Sequence, residues 1–210
     1  MDAAIIIPAY NEEKNITGIL SVLKQFRGIY EMLVVNDGST DKTSDIAISH
    51  DFRVLELKQN MGKSYAMWMG LKNTQAPVIL FLDADLIGIK GEFIENLIVP
   101  VCEDKADMTL GIFTSGRGIT DLAQKLAPFL TGQRASKRWI LESLPQEDWT
   151  TGFGIEIALT RFAKDNNLRL LEVYLHNATH AMKEEKLGFI RGFFARLRMY
   201  RDILRQILKA

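Results

Sequence analysis

The chain has 210 residues, enough for one sizeable domain with a terminal appendage, and its 26 basic and 26 acidic residues cancel. That neutrality names no partner, no nucleic acid is expected as one, and the single cysteine, Cys102, excludes an internal disulfide and fits a reducing, cytoplasmic compartment. No window has the length of a membrane span, and the apolar start Ala3–Ile7 is too short and lacks the basic flank of a secretion signal.

The first half alternates strand and helix signals. Ala3–Ile7 predicts a strand stopped by Pro8, and Ile16, Ile19, Leu20, Leu23 and Phe26 follow with helical spacing after a start at Asn11 or Asn15. Met32–Val35 predicts the next strand, and Asp37-Gly38-Ser39-Thr40-Asp41 a turn and cap before a helix through Ile46 and Ile48. Arg53–Leu57 predicts a third strand, and Asn60-Met61-Gly62-Lys63-Ser64 opens a helix through Tyr65, Met69 and Leu71. Val78–Leu82, bounded by Pro77 and Asp83, predicts a fully buried fourth strand. Such alternation implies an α/β domain, a mostly parallel central sheet flanked by helices.

The second half is less regular. Glu92–Cys102 predicts a helix and Met108–Phe113 a strand that runs into the basic turn Gly116-Arg117-Gly118. Leu122–Leu144 predicts mostly helix, broken at Pro128 and at Thr131-Gly132, followed by a helix at Gly154–Lys164 and a strand at Leu168–Leu175. A polar connector, Lys183–Gly188, divides a catalytic domain over 1–188 from a terminal helix over 189–210.

The chemistry gathers where strands end, because ligands of open α/β sheets bind outside the carboxyl ends of the strands. Asp83-Ala84-Asp85 places two carboxylates one residue apart at such an end. They suit a hard divalent cation that holds a diphosphate, or equally a helix cap. Gly62 and Lys63 open a helix, where N–H groups and an ammonium attract anions, though a solvated lysine satisfies the same pattern. Asp37, before Gly38, is either a turn residue or a ligand contact. Glu147-Asp148 and Glu156 can be helix-start carboxylates, and Arg134, after Thr131-Gly132-Gln133, is a sugar or acceptor contact or part of a helix start. Arg117 is a clamp for an anionic acceptor or a surface arginine.

Four segments, in order, resemble the family 2 glycosyltransferases and their GT-A fold: Ile5-Ile6-Ile7-Pro8-Ala9-Tyr10-Asn11-Glu12-Glu13, Val34-Val35-Asn36-Asp37-Gly38-Ser39-Thr40-Asp41, Asn60-Met61-Gly62-Lys63 and Asp83-Ala84-Asp85. Thr151-Gly152-Phe153-Gly154-Ile155-Glu156 and His180 are similar to acceptor-side segments of the dolichyl-phosphate mannosyltransferase and glucosyl-3-phosphoglycerate synthase members. The resemblance implies transfer of a hexose from a nucleotide sugar, a UDP-sugar such as UDP-glucose, to an acceptor hydroxyl or phosphate, with Mn²⁺ or Mg²⁺. It implies a donor site of Pro8, Ala9, Tyr10, Glu12, Asp37, Gly62, Lys63, Asp83, Ala84 and Asp85, with Asp37 at the uracil edge. It further implies a metal on Asp85 and His180, with Asp148 favoured as catalytic base, Glu156 at the donor sugar and Arg134 beside them. A nucleotidyltransferase would carry a glycine-rich, basic first loop instead of Pro-Ala-Tyr-Asn-Glu-Glu; a non-catalytic nucleotide-binding module would bind without turnover.

The segment from Phe189 to Ala210 has six basic residues against one acid, with Ile190, Phe193, Phe194, Leu197, Leu204 and Ile207 on one helical face. It suits an anionic membrane surface, which would bring a lipid or polyprenyl phosphate acceptor within reach, or else packing in a homodimer. Attraction of about 1 kcal/mol per basic residue near the surface predicts that the chain sediments with anionic vesicles at low salt and less at high salt. A chain ending at Gly188 should stay folded and no longer sediment; equal sedimentation of both forms would refute the assignment.

Overall fold

A computed structural model describes residues 1–114, 131–150 and 154–180; Arg117, the segment 151–153, the side chain of His180 and the helix expected over 189–210 lie outside the described residues. The compact unit Met1–Thr179 is built on a seven-stranded sheet of order β3-β2-β1-β4-β7-β6-β8. Its strands are β1 (Ala3–Ala9), β2 (Glu31–Asn36), β3 (Arg53–Glu56), β4 (Val78–Phe81), β6 (Met108–Phe113), β7 (Arg134–Lys137) and β8 (Leu170–Leu175). Leu86–Ile87 (β5) pairs with Thr179–His180 (β9) in a separate two-stranded sheet. The helices are α1 (Ile16–Leu23), α2 (Thr43–Ser49), α3 (Lys63–Lys72), α4 (Gly91–Cys102), α5 (Arg138–Glu142), α6 (Gln146–Thr150) and α7 (Gly154–Asp165).

Strand alternation divides the core into two layers. Ala3, Ile5, Ile7, Val34 and Leu80 face one cluster with Ile19 and Leu20 of α1 and Ile94 and Leu97 of α4. Ala4, Ile6, Leu33, Ile79 and Phe81 face the other, with Met67 of α3, Ile140 of α5, Trp149 of α6 and Leu159 of α7. Every residue of β1 is therefore buried, the pattern of a strand covered on both faces. Burial of each large side chain there contributes on the order of 2 kcal/mol.

The parallel pairs β1–β2, β2–β3, β1–β4 and β6–β8 follow the predicted alternation. Two predictions are corrected. Pro8 does not stop β1, which runs to Ala9. Ile6 O accepts the Leu82 N–H on the β4 side, so Pro8, two residues on, turns its missing N–H to that same side, where β4 has already ended at Phe81. The segment after Gly132 is a strand, not a helix start: β7 lies antiparallel between β4 and β6, with Phe81 opposite Arg134 and Leu110 also opposite Arg134. Being antiparallel, β7 starts at the edge where its neighbours end, and so delivers Thr131–Arg134 to that edge.

The opposite edge is tied by Arg138. Its Nε donates to Ala76 O at 2.7 Å, Nη1 to Leu71 O at 3.0 Å and Nη2 to Thr74 Oγ1 at 3.1 Å, joining the end of α3 to the start of β4. Arg138→Ala strands these acceptors and should destabilise by about 2 kcal/mol, read from the midpoint of denaturant unfolding. Arg138→Lys should recover little, since one ammonium cannot span three acceptors; an unchanged midpoint in the alanine variant would refute this role.

Candidate active site

The carboxyl ends of β1 to β4 form one edge, and their loops interlock before any ligand arrives. Asn11 adopts φ 54°. It accepts the Thr40 N–H on Oδ1 at 2.9 Å, while its own N–H donates to Ser39 Oγ at 2.9 Å. The Glu12 N–H donates to Thr43 Oγ1 at 2.7 Å and the Glu13 N–H to Asp41 Oδ2 at 3.1 Å. Gly38, at φ 70°, lets the β2 loop touch the β3 loop: a Cβ there would lie 2.5 Å from the Gln59 carbonyl carbon. Pro8 and Ala9 are buried strand residues, so the exposed surface of the first loop begins at Tyr10, 45% exposed.

Asp37 is only 2% exposed, and its carboxylate is a latch. Oδ1 accepts the Met61 N–H at 2.8 Å and Oδ2 the Gly62 N–H at 2.9 Å. Burial raises its pKa against these two N–H groups. Asp37 thereby ties the end of β2 to the residue that opens α3.

Lys63, the first residue of α3, is no solvated lysine. Its Nζ lies 2.6 Å from Asp83 Oδ1 and 3.6 Å from Glu156 Oε1. Burial opposes the charge, but Asp83, then Glu156, outweigh it and hold the ammonium above the ordinary lysine range. The charge of Asp85 acts on the same ammonium. Glu156, in the first turn of α7, is 5% exposed, and its Oε2 has no hydrogen-bond partner among the described residues. Burial raises its pKa, opposed by Lys63 and then by Arg134. Arg134 is 1% exposed, and burial pushes its pKa down to about 10, with Glu156 acting the other way. Two basic and two acidic side chains thus meet in one group drawn from α3, the loop after β4, β7 and α7, with Arg134 and Glu156 buried and Lys63 and Asp83 partly exposed.

Gln133, in the loop before Arg134, joins this group through Asp83. It is fully buried and hydrogen-bonds both the side chain and the backbone N–H of Asp83. Gly132 makes room: a Cβ there would lie 2.3 Å from Lys63 Nζ. A small residue flanked by Thr131 and Gln133, between two apolar stretches, was the available signal.

Asp148 stands apart in charge environment. It is half-buried in α6, anchored by the neighbouring Trp149, whose ring tilts against Phe81 at 6.4 Å. Burial raises its pKa; Arg161 lowers it and Glu147 raises it. The charges acting on it are therefore not those of the Lys63 group.

For a divalent cation, the described residues offer Asp85, half-buried at the end of β4, as a hard oxygen donor, and His180 ends β9. No three acidic, histidine or cysteine side chains converge among the described residues. Mg²⁺-type ions bound with phosphate need only one or two carboxylates, the rest being phosphate oxygens and water, so Asp85 fits such an ion. No helix among the described residues is long and apolar enough to cross a membrane.

Comparison with known proteins agrees with this arrangement. Glucosyl-3-phosphoglycerate synthase of Mycobacterium tuberculosis is 29% identical over 194 residues, covering 74% of this chain and 59% of that protein. The chain therefore spans about three fifths of the length of such relatives. The 4,4'-diaponeurosporenoate glycosyltransferase of Staphylococcus aureus is 36% identical over 99 residues, covering 45% of this chain and 26% of that one. A crystal structure of the Mycobacterium tuberculosis synthase with Mn²⁺, UDP-glucose and phosphoglyceric acid superposes with a TM-score of 0.74 at 27% identity, over 85% of this chain and 71% of that one. Another holds Mg²⁺ and UDP, with a TM-score of 0.73. The profile of glycosyl transferase family 2 matches residues 4–169, from β1 to the last residue before β8, and the GT-A arrangement of the sheet and its acidic edge is the one described above; the chain belongs to that family.

Proposed function

We propose that this chain is a divalent-metal-dependent glycosyltransferase that moves a hexosyl group from a UDP-sugar, UDP-glucose being the leading donor, to an acceptor hydroxyl or phosphate. The observation that carries the reading is the Lys63–Asp83–Glu156–Arg134 group beside Asp85 at the carboxyl-end edge of the sheet, in a chain similar to a synthase whose crystal structure holds UDP-glucose and Mn²⁺. Tyr10, Glu12 and the loop latched by Asp37 line the nucleoside side. Asp83 faces the ribose or metal-bound water, Asp85 takes the cation, and the cation neutralises the departing diphosphate. Lys63 adds a second positive charge on the same side.

Glu156 faces the reacting end. Lys63 holds one of its oxygens while the other, Oε2, stays available to a sugar or acceptor hydroxyl. Asp148 is the second carboxylate proposed for that role, as general base. It sits on α6, which packs against α3.

Asp85→Ala should abolish turnover and Mn²⁺-dependent UDP binding while the melting temperature holds. A donor-hydrolysis screen across nucleotide sugars with Mn²⁺, Mg²⁺ or EDTA, together with calorimetry against UDP, tests it. Full activity in EDTA, or native turnover in the variant, would refute the metal role.

The two carboxylates can be separated by pH. Burial raises the Glu156 pKa, so if its anion is required, activity is lost as pH falls through a value above the ordinary glutamate pKa of about 4.3. Glu156→Gln should remove that acid limb and lower kcat by roughly a hundredfold. Asp148→Asn should do the same only if Asp148 is the base. An acid limb unchanged in Glu156→Gln would take Glu156 out of the reaction.

A further inference from the structure

Gln133 is fully buried at the start of β7, and its carboxamide closes a two-bond ring with Asp83. Nε2 donates to Asp83 Oδ2 at 2.9 Å, and Oε1 accepts the Asp83 N–H at 3.1 Å. The second bond settles the orientation of the amide: its oxygen must face the N–H, so its NH₂ must face the carboxylate. The backbone beneath is held as well. The Gln133 N–H donates to Thr131 Oγ1 at 3.2 Å, Thr131 Oγ1 donates to Gly111 O at 2.7 Å, and the Gly111 N–H donates to Gln133 O at 2.7 Å.

Asp83 is thus gripped from two sides, Oδ1 by Lys63 at 2.6 Å and Oδ2 by Gln133. Turning the carboxylate would break both contacts at once. Packing alone would place an apolar side chain in a buried strand-edge position, since burying an amide is unfavourable unless its hydrogen bonds are made. Here both ends of the amide are spent on a single residue, 50 positions away in sequence.

We propose that Gln133 is a positioning residue of the donor site, acting through Asp83: it fixes the plane of the Asp83 carboxylate so that its outward lone pairs meet the nucleoside diphosphate end of the donor. This rests on the donor-site reading above. Residues that orient a ligand-bearing side chain in this way typically matter by about ten- to a hundredfold in affinity or activity.

A double-mutant cycle on UDP affinity, measured by calorimetry with Mn²⁺, tests it on the full chain. Gln133→Met keeps the volume and removes both bonds; it should weaken UDP by roughly tenfold with a native melting curve. The same change in an Asp83→Asn background should weaken UDP by less than about twofold further, because Gln133 then has no carboxylate to position. Additive losses, or native affinity in Gln133→Met, would overturn the assignment. Should Gln133→Met not fold, Gln133→Glu replaces it: the shape and the acceptor for the Asp83 N–H are kept, a second anion faces the carboxylate, and the same non-additivity is expected. Failure of both to fold would make Gln133 a core residue only and overturn the assignment. Absence of UDP binding by the unaltered chain would overturn the donor-site reading and this assignment together, whereas binding with additive losses would overturn this assignment alone.

Discussion

A strand buried on both faces has to satisfy every backbone group through its two neighbours, and β1 is the strand on which the rest of the sheet depends. It pairs with β2 over Ala4–Ala9 and with β4 over Ala3–Ile6, and its side chains alternate between the two hydrophobic layers. Because both pairings are parallel, the ends of β1, β2 and β4 must emerge at one edge. The Tyr10 loop, the Asp37 latch and the Asp83-Ala84-Asp85 step are therefore neighbours by consequence of the pairing. The one place where the ladder could fail, Pro8, falls beyond the end of β4 and costs no bond.

Electrostatics at that edge follow from burial. Lys63 and Arg134 face Asp83 and Glu156, so the group is neutral as it stands. Buried ion pairs offset a large desolvation cost and contribute more to geometry than to stability. A diphosphate and a divalent cation arriving together would add nearly compensating charge, which is the condition under which such a group can accept them without reorganising. Within this group Glu156 Oε2 is a buried carboxylate oxygen with no hydrogen-bond partner among the described residues.

The antiparallel strand β7 links the sheet to this chemistry. A parallel strand in its position would bring the loop that follows it to that edge, and the residues preceding it would lie at the far one. Running antiparallel, β7 begins beside the end of β4 and brings Gln133 and Arg134 to Asp83 and Glu156. Gly111 on β6 completes the support, receiving the Thr131 hydroxyl and donating to Gln133.

The local apolar pattern was enough to locate β1 through β4, α1 through α4 and the acidic step after Leu82, because parallel strands buried on both faces read as short apolar runs. Turn residues at Asp37-Gly38 and Gly62 likewise mark their loops by backbone requirements that act within a few residues. The strand Arg134–Lys137 left no such trace. Its residues, Arg-Ala-Ser-Lys, have little β propensity, and two of them, Arg134 and Ser136, are buried polar side chains. That strand is held by the β4 and β6 ladders on either side, and the charge of Glu156, more than twenty residues later, opposes the effect of burial on Arg134. The sequence alone determined the sheet's first half and the residues at its edge, since those depend on contacts near in the chain. Only the tertiary structure decided that Asp37 is a latch, that Lys63 pairs with Asp83 and Glu156, and that Gln133 grips Asp83, since each depends on a partner at least 20 residues distant whose position the folded sheet alone supplies.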